Sequence, residues 1–312
     1  MKAVFLDRGS FPNSVNLVYP ECITQVVEFE NTRADQVIQR IQDADIVLTN
    51  KVVVDRAAIE STSALKLVQV MATGTNNVDK LACEEKAIAV QNVEGYSGIS
   101  VPEHTFSLLL ALRRNLVSYL DDVKKGHWAK SEYFCFLDYP IQDLANTTMA
   151  IFGKGNLGQK VANIAAAFSM KVLFVEHKNA TTVRPGYTEF QQALKLADVI
   201  TLHCPLTDNT ANMLSYDEFK MMKPNCVLLN TGRGGLVNED ALIDALTTHK
   251  IAAAGFDVAT QEPMPVDHPL QKLTELPNFL LTPHVAWASA EAMQSLVDIG
   301  MDKIKQFSEV AQ

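Results

Sequence analysis

The feature that most constrains this chain is a glycine-rich turn near its middle, Gly153-Lys154-Gly155-Asn156-Leu157-Gly158. Apolar residues precede the turn over 148–152, helical spacing follows over 157–168, and a second apolar run over 171–175 ends at Glu176. In such a strand–turn–helix, the first glycine permits a tight turn, the second leaves room for a pyrophosphate, and the third lets the helix pack closely on the strand. Although a lone glycine motif also arises by chance, this context predicts a dinucleotide site at a helix N-terminus.

The acid at the end of the second strand predicts which dinucleotide binds. Glu176 lies 23 residues after Gly153. A carboxylate there can accept hydrogen bonds from both ribose hydroxyls, and it repels an added 2′-phosphate. NAD is therefore the predicted cofactor and NADP the less favoured one. His177 and Lys178 follow directly, and they would weaken this preference if they turned toward a 2′-phosphate.

The rest of the chain predicts an α/β architecture. Its 312 residues are enough for two domains of ordinary size. Apolar segments alternate with helical stretches on both sides of the glycine turn, which is the pattern of parallel sheets with crossover helices. The further predicted strands are 2–6, 46–49, 67–70 and 89–92 before the turn, and 199–203, 227–230, 252–257 and 279–282 after it.

The position of the glycine turn predicts the domain organisation. Because a full domain's length precedes it, we expect a doubly wound Rossmann NAD domain, residues 99–285, inserted into a flavodoxin-like substrate domain formed by 1–98 and 286–312. We expect the ligand cleft between these domains. The main predicted helices are 33–42, a single connecting helix over 103–125 that starts near Pro102, and a last helix over 289–307 that returns to the first domain.

Composition excludes several classes of function. The net charge of −9 argues against a nucleic-acid surface, which needs clustered Lys and Arg. No apolar run approaches the roughly 18 residues of a membrane span, and the N-terminus begins as a strand rather than a secretory signal, so we expect a cytoplasmic protein. The five cysteines are scattered, with neither a CxxC pair nor a histidine cluster at ligand spacing, and no metal site is expected.

Four polar residues stand at or just beyond predicted strand ends: Arg233, Asp257, Glu262 and His284. In open parallel sheets, ligands bind beyond the carboxyl ends of the strands. Each residue alone could be structural, such as a histidine on the surface or an arginine paired with a nearby acid. Together they predict a catalytic site.

These residue types suit the reduction of a 2-keto acid. The reaction needs a proton donor that titrates near neutrality, which His284 supplies, and a cation for the substrate carboxylate, which Arg233 supplies as a planar fork. Glu262, hydrogen-bonded to the other ring nitrogen, would favour the imidazolium and fix its tautomer. Asp257 is expected to anchor the nicotinamide carboxamide.

Two further segments offer substrate contacts. The turn Thr73-Gly74-Thr75 follows a predicted strand, and its backbone N–H groups could bind a carboxylate as an anion nest; an ordinary glycine turn is an equally good interpretation. Trp287 could close the substrate pocket and donate its indole N–H to a substrate hydroxyl, or it could pack between domains. The aromatic segment 134–140 is expected to be an irregular loop that lines a partner subunit or the cleft.

Four ordered blocks resemble the D-isomer-specific 2-hydroxyacid dehydrogenase family over essentially the whole chain: 153–158, 230–235, 256–263 and 282–284. The resemblance implies a split substrate domain, an inserted NAD domain, the catalytic set Arg233, Glu262 and His284, and a homodimer built on the cofactor domains. The chain departs from the family in lacking the usual Gly-Lys turn before the fingerprint strand. The implied cofactor contacts are Gly153, Gly155, Asn156, Leu157, Gly158, Glu176, Pro205, Thr231, Gly232, Arg233 and Asp257.

Within that family, the segments 72–79 and 284–287 most resemble the glycerate dehydrogenase, or hydroxypyruvate reductase, branch. The implied activity is NAD-linked reduction of hydroxypyruvate, and also of glyoxylate, to the D-2-hydroxy acid, and the reverse. A larger 2-keto acid such as phenylpyruvate is an alternative, as is an NAD-sensing regulator that resembles the C-terminal binding protein co-repressors. The implied substrate contacts are Thr73, Gly74, Thr75, Arg233, His284 and Trp287.

Overall fold

The computed structural model describes residues 1–310, which form two compact α/β units. One unit consists of Met1–Ser97 together with the described residues from Ala288 onward, and the other is Gly98–Trp287. Each unit contains one sheet, and the strand pairs in both sheets are parallel. The predicted α/β class with two parallel sheets is confirmed.

The first unit has a five-stranded sheet in the order β2-β1-β3-β4-β5. This order, with the chain starting inside the sheet and reversing direction once, is that of a flavodoxin-like sheet. Its edge strand β2 was not predicted, because its short segment is largely exposed and lacks a buried apolar face. The strands are β1 (Lys2–Phe5), β2 (Gln25–Glu28), β3 (Ile46–Thr49), β4 (Leu67–Val70) and β5 (Ala89–Gln91).

Short helices connect these strands, and the long last helix packs against β4 of the same unit. Asp55 and Asp79 cap two of the connecting helices by accepting a backbone N–H from the first turn. The helices of this unit are α1 (Val37–Ile41), α2 (Arg56–Glu60), α3 (Lys80–Glu85) and α10 (Ala290–Val310), with 3-10 turns at Arg8–Ser10 and Ala34–Gln36.

The second unit has a six-stranded sheet in the order β11-β10-β9-β8-β6-β7. The first strand of this unit, β6, therefore has β7 on one side and β8 on the other, so the strand order reverses beside it. Crevices for ligands form at such switch points, beyond the carboxyl ends of the strands. The strands are β6 (Thr148–Phe152), β7 (Lys171–Val175), β8 (Val199–Leu202), β9 (Val227–Asn230), β10 (Ala253–Phe256) and β11 (Phe279–Leu281).

The helix predicted over 103–125 is wrong as a single element. It is two helices, because Asn115 adopts a left-handed conformation with φ 47° between them and its side-chain amide donates to the carbonyl of Pro140. The first of the two begins at Ser100, so Pro102 lies inside its first turn, where its missing N–H costs no helical bond. The helices of this unit are α4 (Ser100–Arg113), α5 (Leu116–Lys124), α6 (Asn156–Ala167), α7 (Phe190–Leu196), α8 (Tyr216–Met221) and α9 (Glu239–Thr247), with 3-10 segments at Trp128–Lys130 and Pro269–Glu275.

Both faces of the second sheet are buried. In β6, Ala150 and Phe152 belong to one apolar cluster, whereas Met149 and Ile151 belong to another that includes Val161 of α6. The alternation follows from the two-residue period of a strand. The near-continuous apolar run of β6 is therefore what a parallel strand covered by helices on both sides requires. None of the helices among residues 1–310 has the length and apolarity needed to cross a membrane.

Candidate active site

Three neighbouring strands of the second unit bring the predicted catalytic residues to one edge of the sheet. Asn230 of β9 pairs with Phe256 of β10, and Phe256 pairs with Leu281 of β11, so the three strands end in one row. Adjacent strands lie about 4.8 Å apart. Arg233 and His284 each follow a member of this row by three residues, which explains how distant parts of the sequence can serve one site.

His284 and Glu262 are in direct contact. Nδ1 of the imidazole lies 2.6 Å from Oε2 of the carboxylate, and both side chains are partly exposed. The other carboxylate oxygen, Oε1, accepts the backbone N–H of Ala259 at 3.0 Å, which fixes the orientation of the acid. Because Nδ1 faces a carboxylate, it carries a proton, and Nε2 is left as the ring nitrogen that can exchange a proton with a substrate.

The backbone at His284 is held in an uncommon conformation. Its φ is 55°, in the left-handed region that few residues other than glycine adopt. Buried Asp257 holds the surrounding loop: its Oδ1 accepts the hydroxyl of Thr282 at 2.6 Å and the N–H of Val285 at 2.9 Å, and its Oδ2 accepts the N–H of Ala286 at 2.8 Å. Asp257 therefore positions the histidine loop, and its predicted contact with the nicotinamide carboxamide stays a prediction.

His104 of α4 completes this network and was not identified from the sequence. Its Nε2 lies 2.9 Å from the hydroxyl of Thr282 and 3.6 Å from Oδ1 of Asp257. Since the Thr282 hydroxyl donates to Asp257, it accepts from His104, which places a proton on Nε2 of His104. A histidine on a helix far away in sequence gives no local signal for such a contact.

Arg233 lies in a turn that two hydrogen bonds stabilise. The Asn230 amide donates to the Arg233 carbonyl at 2.9 Å, and Nη1 of Arg233 donates to the carbonyl of Gly232 at 2.7 Å. A Cβ on Gly234 would lie 1.9 Å from the carbonyl oxygen of Ala259, the residue whose N–H binds Glu262. Close backbone packing therefore couples the arginine turn to the glutamate turn.

Two other residues of the predicted site, Thr231 and Trp287, are also held by hydrogen bonds within this unit. The hydroxyl of Thr231 lies 2.9 Å from that of Thr105 on α4, and both residues are buried. Trp287 donates its indole N–H to the carbonyl of His284 at 3.0 Å. The indole thus stabilises the histidine loop, and donation to a substrate hydroxyl stays a prediction that would require this bond to break.

The glycine turn has the geometry that the fingerprint predicts. Gly153 has φ 106°, and a Cβ there would lie 2.5 Å from the carbonyl oxygen of His203. A Cβ on Gly158 would lie 1.9 Å from the carbonyl oxygen of Gly153, so only glycine allows this helix packing. A Cβ on Gly155 would meet nothing within 4 Å. The space over Gly155 and the N-terminal N–H groups of α6, which begins with Asn156 and Leu157, fit a pyrophosphate.

The glycine turn opens into a cavity of about 850 Å³. Glu176 lies in its wall at the end of β7, and hydrogen bonds from the Arg184 side chain and from backbone N–H groups lower the pKa of Glu176 to about 2. The carboxylate is therefore charged throughout the physiological range. The cavity wall includes Phe152, Gly153, Lys154, Gly155, Glu176, His177, Lys178, Arg184, Tyr187, His203, Cys204 and Pro205.

His203 is a second histidine that sequence reasoning missed. Its Nε2 lies 2.8 Å from the hydroxyl of Thr201, whereas Nδ1 is buried and has no hydrogen-bond partner in the part of the chain that the structure describes. Burial lowers the pKa of His203 to about 4, so the ring is neutral at physiological pH. A neutral ring with an unpaired nitrogen therefore lies beside the predicted phosphate site. It could not be predicted, because the apolar residues before His203 in the sequence indicate only a strand.

The predicted substrate turn of the first unit is ordered by its neighbours. The Thr73 hydroxyl donates to the carbonyl of Val93 at 2.9 Å, and the Asn92 amide donates to the carbonyl of Thr73 at 2.7 Å. The Thr73 hydroxyl is therefore already used as a donor inside this unit. An anion at this turn, which continues through Gly74 and Thr75, would have to be bound by backbone N–H groups. Its substrate role stays a prediction.

Histidine, cysteine and acidic side chains are the usual protein ligands of metal ions. Within residues 1–310, no group of three or more His, Cys, Asp or Glu side chains is arranged to hold a metal ion. The five cysteines are free thiols.

Comparisons with known proteins agree with this geometry. A family model described as D-isomer specific 2-hydroxyacid dehydrogenase, NAD binding domain, matches residues 106–286. The chain is 46% identical to a Haemophilus influenzae protein named for the 2-hydroxyacid dehydrogenases, with 98% of each chain covered. It is 43% identical to a glycerate dehydrogenase of Methylorubrum extorquens, with 98% of this chain and 96% of that protein covered.

A solved structure extends the comparison. An acyclic imino acid reductase in complex with NADPH and D-Arg is 27% identical, with a TM-score of 0.81 over 99% of this chain and 97% of the other. The parallel sheet, the glycine turn and the histidine–carboxylate pair define a nicotinamide-dependent oxidoreductase. The chain belongs to the D-isomer specific 2-hydroxyacid dehydrogenase family and is an enzyme of that family.

Proposed function

We propose that this enzyme reduces hydroxypyruvate, and also glyoxylate, to D-glycerate and glycolate with NADH, and catalyses the reverse oxidation. The observation that carries the proposal is the 2.6 Å contact between Nδ1 of His284 and Oε2 of Glu262. It supports a histidine whose orientation is fixed by a carboxylate. When this histidine is charged, Nδ1 keeps its proton and Nε2 carries the proton that can be transferred.

In the proposed mechanism, Arg233 binds the carboxylate of the keto acid through two N–H groups and polarises the adjacent carbonyl. The glycine turn and Glu176 would hold a dinucleotide, whose nicotinamide would supply or accept the hydride at C2 of the substrate. His284 donates the Nε2 proton to the carbonyl oxygen during reduction and takes it back during oxidation. Glu262 stabilises the imidazolium and keeps Nδ1 protonated, while Asp257 holds the loop that carries the histidine.

The choice of substrate is supported by the substrates that the names of relatives state. Glycerate, the substrate in the name of the Methylorubrum extorquens relative, gives hydroxypyruvate when its C2 is oxidised. Glyoxylate is the smallest 2-keto acid and presents the same carboxylate and carbonyl. A hydroxyl or a methylene changes specificity by only about 1–3 kcal/mol in an apolar pocket, so a larger substrate such as phenylpyruvate belongs in the test.

The cofactor preference is also part of the proposal. A charged carboxylate at the end of β7 favours the free ribose hydroxyls of NAD(H) over the phosphate of NADP(H). We therefore propose NAD(H) as the preferred cofactor. Glu176 is the residue that sets this preference.

We further propose a homodimer that forms through the second unit. Its support is a group of exposed apolar side chains on α5 and the segment that follows, including Leu116, Leu120, Trp128, Phe134 and Leu137. Monomeric proteins rarely expose apolar surface of this extent. Sedimentation velocity at micromolar concentration tests this proposal, and a monomer would contradict it.

The compartment is also part of the proposal. All five cysteines are free thiols, which suits a reducing compartment, and we propose that the enzyme is cytoplasmic.

The experiment that tests the function is a turnover assay with hydroxypyruvate, glyoxylate, pyruvate and phenylpyruvate, each with NADH and with NADPH. We expect the highest kcat/KM with hydroxypyruvate and NADH. A higher value with phenylpyruvate would replace the substrate assignment. Sluggish oxidation of NADH with every keto acid, despite tight NADH binding, would favour a dinucleotide-sensing regulator instead.

A further inference from the structure

The acid that is expected to bind the cofactor ribose is fully occupied by the protein itself. Oε1 of Glu176 accepts the N–H of His177 at 2.8 Å and Nη2 of Arg184 at 2.6 Å. Oε2 accepts the N–H and the Nε of Arg184 at 3.1 and 2.7 Å. A carboxylate offers about four acceptor positions, and all four are used. The ribose hydroxyls of NAD can therefore bind Glu176 only if Arg184 releases some of them.

Arg184 is well placed to move. Its side chain is 51% exposed, whereas Glu176 is 3% exposed, so the arginine closes the site from the solvent side. Its guanidinium carbon lies 4.1 Å from the ring centre of Tyr187, and both residues line the cavity that contains the glycine turn. Because the aromatic ring and the cavity both offer alternative surroundings, the guanidinium can leave the carboxylate without entering an apolar environment.

Further cations surround this end of the cavity. Nζ of Lys154 lies 4.9 Å from the ring centres of Phe174 and Tyr187 and donates to the carbonyl of Gly186 at 3.4 Å, and Lys154 lines the same cavity. Lys178 also lines the cavity, but Glu218 holds its ammonium at 2.8 Å. Arg184 and Lys154 are therefore the cations that a phosphate on the ribose could recruit most directly.

We propose that Arg184 is a cofactor-specificity residue that takes the 2′-phosphate of NADP(H), so that the enzyme binds NADP(H) as well as NAD(H). The inference rests on the proposed function, because it takes the cavity to be the dinucleotide site. A planar guanidinium matches a phosphate in two charge-assisted hydrogen bonds. With NADP(H), Arg184 exchanges the carboxylate of Glu176 for the phosphate dianion, whereas with NAD(H) the ribose has to compete with Arg184 for Glu176.

Loss of the guanidinium should therefore change the Kd values of the two dinucleotides differently. In Arg184→Ala, we expect the Kd of NADP+ to rise about tenfold or more, since the lost bonds are charge-assisted. The Kd of NAD+ is expected to stay unchanged or to fall, because Glu176 becomes free for the ribose. The measurement is isothermal titration calorimetry of NAD+ and NADP+ without substrate, so that no catalytic step contributes.

Two other variants keep the result interpretable. Arg33→Ala removes an exposed arginine that pairs with Asp35 in the first unit, and both dinucleotides should bind it as they bind the wild type. Arg184→Lys retains the charge but not the fork, and it should weaken NADP+ less than Arg184→Ala does. It also serves if the alanine variant is too unstable to titrate.

The outcomes separate the inference from the proposed function. Wild-type enzyme that binds NAD+ but not NADP+, or an Arg184→Ala variant with an unchanged ratio of the two Kd values, would overturn the role of Arg184 and leave the proposed function intact. Failure of the wild type to bind either dinucleotide would instead remove the proposed function. An equal weakening of both in Arg184→Ala would assign the arginine a purely structural role.

Discussion

The carboxylate of Asp257 accepts a hydrogen bond from the hydroxyl of Thr282 at 2.6 Å. This contact joins the end of β10 to the start of the loop that carries His284. The same carboxylate binds two backbone N–H groups of the loop, at Val285 and Ala286. Because Asp257 is buried, water cannot replace it as the acceptor for these donors, and the loop that carries His284 depends on this one acid.

Asp257→Asn should therefore destabilise the protein and impair catalysis together. An amide offers one acceptor oxygen, so at least one donor loses its partner, at a cost of about 1–3 kcal/mol in the free energy of unfolding. Urea denaturation measures this, and kcat measured alongside should fall because His284 is displaced. Asp302→Asn, at an exposed position of α10, is the control and should change stability by less than about 0.5 kcal/mol. Equal stability of the Asp257 variant and wild type would contradict this account.

Two glycines of the fingerprint turn should fail in different ways. Gly158→Ala places a Cβ 1.9 Å from a backbone oxygen, and we expect a loss of about 1–3 kcal/mol in stability or no folded protein. Gly155→Ala meets no atom and has φ −76°, which alanine adopts freely, so its melting temperature should match the wild type.

The same Gly155→Ala variant should bind NADH at least about tenfold more weakly, because the methyl group occupies the predicted pyrophosphate position; tenfold corresponds to about 1.4 kcal/mol. Fluorescence titration with NADH gives the Kd. Unchanged NADH affinity in this variant would show that the cofactor does not approach the backbone at Gly155.

His203 should make stability depend on pH. Its pKa is about 4 in the folded protein against 6.5 for an ordinary histidine, so the unfolded chain binds the proton more readily between these values. Stability is therefore full above about pH 6.5 and is lost as the pH falls toward 4, by at most about 3 kcal/mol. Urea unfolding at several pH values should show a shallower acid-side loss in His203→Asn than in the wild type. Parallel curves for the two proteins would exclude this histidine as the cause.

Glu262→Gln tests the partner of His284, the proposed proton donor. A neutral amide no longer stabilises the imidazolium, so reduction should slow by roughly tenfold or more. Steady-state kinetics of keto-acid reduction at one pH measure kcat/KM. An unchanged kcat/KM would mean that Glu262 does not act through His284.

Much of the fold could be predicted because local patterns and packing agree. The apolar runs of β6 and β7 indicated the bounds of both strands directly, and the run in β6 is nearly continuous because both of its faces are buried. The edge strand β2 was missed because only its backbone pairs with β1, while its side chains remain largely exposed. The break at Asn115 was missed because apolar spacing continues on both sides of a single left-handed residue.

The candidate site, like the fold, could be predicted only in part. Arg233 and His284 could be predicted because they follow apolar strands, and Glu262 because it follows Asp257 within a recognisable block. The partners of these residues could not. His104 reaches Thr282 from a distant helix, which is a tertiary contact. Arg184 binds Glu176 and the indole of Trp287 binds the carbonyl of His284 through the folding of local loops, which residue spacing does not reveal. Residue type and spacing say which chemistry is possible, whereas the distribution of hydrogen bonds decides which groups remain available for a ligand.

The most direct test of the whole account is the turnover of His284→Asn with NADH and hydroxypyruvate, measured beside NADH binding. Asparagine is chosen because it tolerates the left-handed backbone at this position. The account predicts a fall in kcat of at least about 100-fold, since the proton donor is lost, with an NADH Kd within roughly threefold of the wild type. A kcat close to that of the wild type would show that the proton comes from another group and would contradict the proposed mechanism.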